Sequence, residues 1–320
     1  MIKVIYNGEN AAEAVRDRLA AAMGELMAAD ERICYLDADL MSSIGMSKVA
    51  KQYPERVIDC GIQEANMIGV ACGLSAVGKI PFAHSFGIFA SRRCFDQLFL
   101  SAAYAGNSLR VIGSDAGVCA EYNGGTHMPL EDITLIRAIP GSHILDISDG
   151  EMIYDIIKKT AYMDGVTYIR TPRKASRALY AEGSEFTIGK GIVVKEGSDV
   201  TIIASGIMVA EALEAAKLLS AQGISAAVID MFTVKPLDEA LVLEYAEKTG
   251  CIVTAENHNA TGGLGGAVAE LLAQKRPTVQ EFIGVGQRFG EVGPMSYLKE
   301  QFGLTAEDIA EKARRAIARK

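Results

Sequence analysis

Hydrophobic positions along the chain fall into short runs rich in Val, Ile and Leu, which alternate with longer segments of helical spacing. The clearest helix carries apolar residues at positions i, i+3, i+4 and i+7 of one face, namely Met67, Val70, Ala71 and Leu74. A second helical region is predicted over residues 86–103. The short runs predict strands at 32–36, 57–59, 81–84, 109–113, 143–146, 167–170, 199–205, 225–230, 251–256 and 278–285. This alternation predicts an α/β fold with doubly wound, mostly parallel sheets.

A polar stretch over residues 174–189 interrupts the pattern, which then restarts. The length of 320 residues suits two domains. We therefore predict a first α/β domain over residues 1–175, a linker over 176–190, and a second, smaller α/β domain over 191–320.

Composition narrows the class of protein. A net charge of -8 and a pI near 5.2 argue against a nucleic-acid binder, which would carry a basic face. No apolar run approaches the roughly 20 residues that span a bilayer, and the first residues lack the order of a signal peptide. The six cysteines form no CxxC pair, which favours reduced, buried thiols. We expect a soluble cytoplasmic protein with no membrane or nucleic-acid partner.

Three motifs carry the candidate chemistry. GIQEANM at 61–67 places Glu64 at the head of the clearest helix, F-x-x-F follows at 86–89, and a Gly-rich loop ends in G-x-T-H at 124–127. Together with DADL at 37–40, these motifs resemble the transketolase family over nearly the whole chain. The similarity is greatest to the separate C-terminal subunit of two-subunit transketolases, which carries the pyrimidine-binding domain and a C-terminal domain.

The diphosphate-binding half of that family is marked by Gly-Asp-Gly, which does not occur in this sequence. Binding of phosphate and Mg²⁺ needs carboxylate and amide oxygens beside free backbone N–H groups, and no candidate cluster is found. GGLGG at 262–266 departs from G-x-G-x-x-G at Val268, so no dinucleotide site is expected. The resemblance implies thiamine diphosphate at a shared site, with Mg²⁺ (or Ca²⁺) held by an N-terminal partner subunit in an α2β2 assembly. No metal ligand is predicted in this chain.

The resemblance makes Glu64 the catalytic acid that hydrogen-bonds the cofactor's pyrimidine ring, a role that needs a protonated carboxyl. Burial favours the protonated form, whereas a helix N-terminus favours the anion. We therefore predict an apolar pocket walled by Met67, Phe86 and Phe89. Phe86 and Phe89 match the aromatic pair that packs on the pyrimidine. The alternatives are a helix-capping role for Glu64 and a core role for the two phenylalanines.

Two further residues match cofactor-lining positions. Asp39 and Leu40 correspond to an aspartate–leucine pair at the thiamine site of the family's dimer interface; a simple strand-end turn is the alternative. A third family aromatic is replaced by Arg92. Glu256 and His258, in the second domain, are given no site role.

By the same resemblance, His127 contacts the substrate near the reacting carbons, where an imidazole can donate to a developing alkoxide or relay a proton. Asn123 stands where the family usually has an aspartate that contacts a donor hydroxyl. An amide keeps the hydrogen bond but carries no charge.

Asp115 is the larger departure, because its position is usually His in transketolases and Arg in deoxyxylulose-phosphate synthases, where both help to hold the sugar phosphate. A carboxylate repels phosphate unless a cation lies between them. Arg16 and Arg173 remain candidates for anion binding, which suits the guanidinium group. We predict an atypical substrate, either unphosphorylated or differently substituted.

The sequence thus predicts one subunit of a thiamine-diphosphate-dependent transferase that moves a two-carbon ketol unit from a ketose donor to an aldehyde acceptor and is active only with its N-terminal partner. Alternatives are a deoxyxylulose-phosphate-synthase-like enzyme, the β subunit of a 2-oxoacid dehydrogenase, and a catalytically silent scaffold. The combination of F-x-x-F and G-x-T-H argues against the dehydrogenase. Retention of Glu64 and His127 argues against the scaffold.

Overall fold

Two β-sheets organise the chain, which a computed structural model describes over residues 2–320. The strands are β1 (Ile33–Asp37), β2 (Val57–Asp59), β3 (Ile80–Phe86), β4 (Leu109–Ser114), β5 (His143–Asp146), β6 (Val166–Thr171), β7 (Ile192–Lys195), β8 (Val200–Ala204), β9 (Ala226–Asp230), β10 (Thr233–Lys235), β11 (Cys251–Asn259) and β12 (Val279–Val285). The seven-stranded sheet has the order β10-β5-β6-β4-β3-β1-β2, and the five-stranded sheet the order β12-β11-β8-β9-β7. All pairings are parallel except β10 with β5 and β7 with β9.

Helices separate most of the strands. They are α1 (Val15–Ala29), α2 (Ser47–Gln52), α3 (Glu64–Ala76), α4 (Gly87–Ser91), α5 (Asp132–Arg137), α6 (Gly150–Thr160), α7 (Met208–Ser220), α8 (Glu239–Thr249), α9 (Leu264–Lys275), α10 (Met295–Phe302) and α11 (Ala306–Ala318). Short 3-10 segments cover Arg92–Cys94 and Gly117–Asn123, and a π-helix covers Gln97–Tyr104. None of the helices in residues 2–320 is long and apolar enough to cross a bilayer.

Both faces of the first sheet are buried, as the alternation within β1 shows. Ile33 and Tyr35 join a core cluster with α1 and α6, whereas Cys34 and Leu36 join a second cluster with α3. Continuous hydrophobic strands of this kind are typical of parallel sheets covered on both sides. The predicted fold class, two mostly parallel α/β domains, is confirmed; the domain boundaries at 175 and 191 stay a prediction.

Three elements differ from the expectation. The helical region predicted over 86–103 is divided into α4, a 3-10 turn and the π-helix. β7, of four residues, and β10, of three residues, were not predicted; β7 directly follows the polar stretch and β10 lies close behind the predicted strand 225–230, so neither formed a separate run. β10 lies in the second half of the chain but adds an antiparallel edge strand to the first sheet, with Thr233 opposite Leu145.

A buried arginine ties the two halves together. Arg170, in β6, donates to Asp132 at 2.8 Å and to Asp146 at 3.3 Å, and its remaining nitrogen donates to the carbonyl of Asn257 at 2.6 Å. Asp146 in turn accepts from the Ser205 hydroxyl at 2.7 Å. Removing one member of such a network would leave a buried charge without its partner, at a cost of about 3–5 kcal/mol.

Candidate active site

The predicted site residues meet at one edge of the first sheet, beyond the carboxyl ends of its parallel strands. Ligands of open α/β sheets bind in this position. The strand order explains the convergence, because β6, β4, β3, β1 and β2 are consecutive neighbours. The ends of these strands and the segments that directly follow them supply Arg173, then Asp115, Asn123 and His127, then Phe86 and Phe89, then Asp39 and Leu40, and finally Glu64.

Glu64 is the first residue of α3, and only 1% of it is exposed. Its Oε1 accepts from the Ser85 hydroxyl at 2.8 Å, and its Oε2 accepts from Nη1 of Arg93 at 2.7 Å. One carboxylate oxygen is therefore bonded to a side chain at the end of β3 and the other to a side chain of the 3-10 turn that follows. They are directed into the site rather than used to cap the helix.

Phe86 and Phe89 are half-buried, and the imidazole of His127 packs edge-on against both rings. The ring centroids of His127 lie 5.7 Å from Phe86 and 5.2 Å from Phe89. Rings left half-exposed in this way keep surface available for a ligand, unlike the fully buried aromatic side chains of the core. His127 Nδ1 lies 2.9 Å from the Thr126 hydroxyl, which leaves Nε2 as the nitrogen free to meet a substrate.

Arg93 was missed by the sequence reasoning. Its guanidinium lies 3.9 Å above the Phe89 ring while it binds Glu64, and 41% of its side chain is exposed. The guanidinium of Arg93 is planar and carries N–H donors. It contacts the Glu64 carboxylate and the face of the Phe89 ring, the two groups that the resemblance assigns to binding a pyrimidine. The residues present therefore fit a flat, nitrogen-bearing ring.

At the other end of the aromatic pair lies the corner that the sequence predicts to bind an anion; we call it the anion-binding corner and define it as Arg16, Ser43, Asp115 and Arg173. Arg16 and Arg173 both donate to the Ser43 carbonyl, at 3.2 and 3.4 Å, and Arg173 also donates to the Ser43 hydroxyl. The Arg173 guanidinium is 5.0 Å from the centre of the Phe86 ring. Ser43 was not predicted; its only signal in the sequence is that it follows the Asp39–Leu40 turn.

Asp115 forms a two-pronged ion pair with Arg173. Nε donates to Oδ1 at 2.6 Å and Nη2 donates to Oδ2 at 2.7 Å. Asp115 is buried and has a φ of 59°. In the described part of the chain, the other non-glycine residues with positive φ are Asp39 (63°) and Glu121 (47°), both in loops of the same sheet edge. Such strain tends to gather at functional sites.

A buried series of hydrogen-bonded side chains, which we call the buried polar chain, lies beneath these loops at the ends of the strands. His84 Nδ1 lies 2.8 Å from Asp37, and its Nε2 lies 2.9 Å from the Ser114 hydroxyl. All three side chains are sealed from solvent, so this arrangement of acid, imidazole and hydroxyl holds three strand ends together rather than meeting a substrate. Asp37 also accepts from the backbone N–H of Leu40, and Ser114 directly precedes Asp115.

The remaining predicted residues lie at the rim. Asp39 is exposed and its N–H donates to Asp59 at 3.1 Å; Leu40 is half-buried; Asn123 is exposed at the end of its 3-10 turn. Across residues 2–320, no group of three or more His, Cys, Asp or Glu side chains is arranged to hold a metal ion.

The second half of the chain packs against the His127 loop. A Cβ built on Gly125 would lie 2.4 Å from the carbonyl oxygen of Gly290, so the two backbones are in direct contact. Glu256 accepts from the N–H groups of Leu264 and Gly265 at the start of α9, and burial raises the pKa of this carboxyl to about 7. Glu256 is therefore engaged within its own domain.

An exposed apolar surface begins beside Glu64, and we call it the α3 face. It comprises Ile62, Val70, Val77, and Leu100 and Tyr104 of the adjoining π-helix. Val77 is 75% and Tyr104 84% exposed. Gly69 and Gly73 lie on the exposed side of the same helix, with open space where a Cβ would stand. Contiguous exposed apolar surface is typical of a protein–protein contact.

Known proteins match the chain along its length. The profile of the transketolase pyrimidine binding domain matches residues 12–178, and that of the transketolase C-terminal domain matches residues 189–309. The chain is 49% identical over 306 residues to the 6-deoxy-6-sulfo-D-fructose transketolase subunit SqwH of Clostridium sp. (strain MSTE9), with 96% of this chain and 95% of that protein covered.

Two further matches extend the comparison. The chain is 36% identical over 302 residues to 1-deoxy-D-xylulose-5-phosphate synthase 1 of Geobacter sulfurreducens, with 93% of this chain but 47% of that protein covered. A solved structure described as "Split gene transketolase, inactive beta4 tetramer" superposes with a TM-score of 0.88 at 41% identity, covering 96% of this chain and 99% of that chain.

Proposed function

The chain belongs to the transketolase family and is a subunit of a thiamine-diphosphate-dependent transferase, and from this premise we propose that it supplies the pyrimidine half of an active site shared with a partner subunit. The observation that carries the proposal is the unbroken line of contacts along the sheet edge. It runs from Glu64 through Arg93, Phe89, His127 and Phe86 to Arg173. A cofactor at one end and an anionic substrate group at the other fit this arrangement.

When bound, thiamine diphosphate supplies the nucleophilic carbon and the electron sink for breaking a carbon–carbon bond. Glu64 is proposed to hydrogen-bond the pyrimidine ring through Oε2, the oxygen that accepts from Arg93 in this structure, after Arg93 has moved away, while Ser85 fixes Oε1. Phe86 and Phe89 flank the ring, and Asp39 and Leu40 line the rim of its pocket. Ring packing of this kind is worth about 0.5–1.5 kcal/mol beyond area burial.

His127 is proposed to act on the substrate. Its Nδ1 is held by Thr126, so Nε2 can donate to an oxygen on which negative charge develops. Asn123 is proposed to bond a donor hydroxyl from the rim. Arg16 and Arg173 are proposed to bind the far, anionic end of the sugar.

We propose that the donor is a ketose with a sulfonate in place of the usual phosphate. The relative that is 49% identical over nearly the full length is the subunit of a 6-deoxy-6-sulfo-D-fructose transketolase. The carboxylate of Asp115 inside the anion-binding corner points to the same departure from ordinary sugar phosphates.

The diphosphate and its Mg²⁺ are proposed to bind on a separate N-terminal subunit in an α2β2 assembly. The α3 face, which starts beside Glu64, is the proposed contact surface, because assembly there would close the cofactor pocket. The solved split-gene relative is an inactive beta4 tetramer, which agrees with a β-type subunit that needs a partner for activity.

The test is to co-express the chain with a candidate N-terminal subunit and to titrate thiamine diphosphate and Mg²⁺ by calorimetry. Turnover is then measured with 6-deoxy-6-sulfo-D-fructose and an aldehyde acceptor. Glu64→Gln should lower kcat by about 10²–10⁴-fold without preventing assembly, whereas Glu55→Gln, at an exposed glutamate, should not. Tight cofactor binding by the chain alone, or full activity of Glu64→Gln, would contradict the proposal. Turnover with pyruvate as the only donor would favour the deoxyxylulose-phosphate-synthase alternative.

A further inference from the structure

The anion-binding corner contains two cations and one anion at close range. Arg173 donates to Asp115 through Nε and Nη2, the two nitrogens of one edge of its guanidinium, and to Ser43 through Nη1. Arg16 reaches the same Ser43 carbonyl through Nη1, and 43% of its side chain is exposed. Asp115 therefore offsets the charge of Arg173, and the remaining positive charge of the corner lies on Arg16, whose own acidic neighbour is the exposed Asp17 at 3.9 Å.

Because Asp115 uses the Nε–Nη2 edge of Arg173, that edge is not free to bind a substrate oxyanion. Two parallel N–H groups on one edge clamp two oxygens of a phosphate or carboxylate, and this geometry gives the strongest contacts. Asp115 already fills that edge at 2.6 and 2.7 Å. A substrate anion thus meets an arginine that is half-neutralised and has fewer free donors.

The position of Asp115 is held from several sides. Its neighbour Ser114 is anchored to His84 in the buried polar chain, and its backbone has a φ of 59°, which aspartate tolerates better than most residues. The side chain is 3% exposed. Asp115 is therefore a fixed negative charge in the wall of the corner, close to where the anionic group of a substrate would bind Arg173.

Resting on the function proposed above, we propose that Asp115 is a specificity-determining residue that favours a sulfonate-bearing ketose over the corresponding phosphate ester. A sulfonate carries one negative charge at any physiological pH. A phosphate monoester carries about -1.5 to -2 at pH 7, so it brings extra charge towards the Asp115 carboxylate. A corner whose remaining positive charge lies on Arg16, and is only weakly offset by the exposed Asp17, matches a monoanion better than a dianion.

The experiment compares kcat/KM for 6-deoxy-6-sulfo-D-fructose and fructose 6-phosphate at pH 7.5 in the assembled two-subunit enzyme. Wild type should prefer the sulfonate. Asp115→Asn keeps the side-chain shape and removes the charge, and it should shift the ratio towards the phosphate by about tenfold or more, because one unit charge at close range is worth at least that much. Asp17→Asn is the matched control: its carboxylate lies 3.9 Å from Arg16 but is exposed, so the ratio should change by less than about twofold.

A wild-type preference for fructose 6-phosphate would overturn the inference, even if the Asp115 variant failed to fold. An equal loss of kcat/KM for both ketoses in Asp115→Asn would also overturn it, because Asp115 would then only position Arg173. If wild type turns over neither ketose, the proposed function fails, and the inference falls with it.

Discussion

Arg93 Nη1 lies 2.7 Å from Oε2 of Glu64, and the same guanidinium lies 3.9 Å above the ring of Phe89. This contact gives the buried Glu64 carboxylate a cationic partner at the entrance of its pocket. A pyrimidine that is to bond Glu64 and pack on Phe89 needs the same space. Under the proposed function, Arg93 therefore moves aside when the cofactor binds.

Arg93→Ala should make the free chain slightly less stable and the cofactor easier to bind. Loss of a buried hydrogen bond to a charged group costs about 1.5–3 kcal/mol. Because Arg93 is half-exposed, we expect the free energy of unfolding to fall by only about 1 kcal/mol, which lowers the melting temperature by about 2–4 °C. Calorimetric titration of the assembled enzyme should show thiamine diphosphate binding several-fold tighter. Arg92→Ala is the control, because Arg92 pairs with Glu131 instead. Weaker cofactor binding in Arg93→Ala alone would show that Arg93 assists the cofactor rather than displacing it.

Gly125→Ala should lower activity without unfolding the chain. The new methyl group would meet the carbonyl of Gly290 at 2.4 Å, so the loop that carries His127 must shift. Misplacing a catalytic group by 1 Å can cost up to about 10²-fold in rate. We expect reduced kcat in the assembled enzyme and a melting temperature lower by a few degrees, because overpacking costs about 1–3 kcal/mol, while the variant still folds. Gly266→Ala is the control, because its new methyl group would approach the flexible end of Arg137 at 3.3 Å, and it should leave kcat and the melting temperature unchanged. A wild-type kcat in Gly125→Ala would show that His127 has no part in the mechanism or that its loop adapts.

The double variant Gly69→Leu and Gly73→Leu should fold normally but assemble more weakly with the partner subunit. Both positions have open space for a side chain, and leucine is the better helix former by roughly 0.5–1 kcal/mol per residue. The isolated chain should therefore melt at the same or a higher temperature, while sedimentation and activity titrations should show assembly weakened by about tenfold or more, since bulky side chains overpack a close contact. Ala240→Leu adds an apolar side chain to the exposed surface of α8 and serves as control. Unchanged assembly in the double variant would exclude the α3 face as the contact surface.

Asp230 should make stability depend on pH. It is fully buried, its Oδ2 accepts from Ser148 and Tyr180, and burial raises its pKa from 3.8 to about 7 despite these hydrogen bonds. Between about pH 4 and 7 the folded chain keeps a proton that the unfolded chain has released, so this group favours unfolding increasingly as the pH rises through that window.

Asp230→Asn removes the ionisation. The melting temperature of the variant minus that of wild type should therefore rise from pH 4 to pH 7 and then level off. Glu182→Gln, at an exposed position, should give a difference that stays flat. A pH-independent difference for Asp230→Asn would mean that the Asp230 carboxyl ionises in the folded chain as it does in the unfolded one.

Sequence reasoning predicted the fold class because the fold class depends on local pattern. Glu64 follows a strand and a glycine turn, and Phe86 and Phe89 follow the next strand, so parallel pairing alone brings them together. Arg93 and Ser43 could not be found in this way. Which of Arg92 and Arg93 faces Glu64 depends on the tight 3-10 turn between α4 and the π-helix, and a uniform helix over 86–103 would have given a different answer.

The ion pair between Asp115 and Arg173 could not be predicted from the sequence either. Both residues were predicted to lie at the anion-binding end, but as opponents, one repelling and one attracting the substrate. Their direct ion pair depends on β4 and β6 being neighbours, with Ser114 opposite Thr171. Spacing along the sequence carries no information about that register.

The edge strand β10 has a consequence for how the protein is made. The first sheet is completed only when Thr233–Lys235 reach the side of β5, which ends at Asp146. At the usual speed of a ribosome, about 5–20 residues per second, the intervening chain takes roughly 5–20 s to synthesise. During that interval the nascent protein carries an unpaired strand edge, the kind of surface on which chains stick to one another. We therefore expect chaperones to contact this edge of β5 until Thr233–Lys235 have been synthesised.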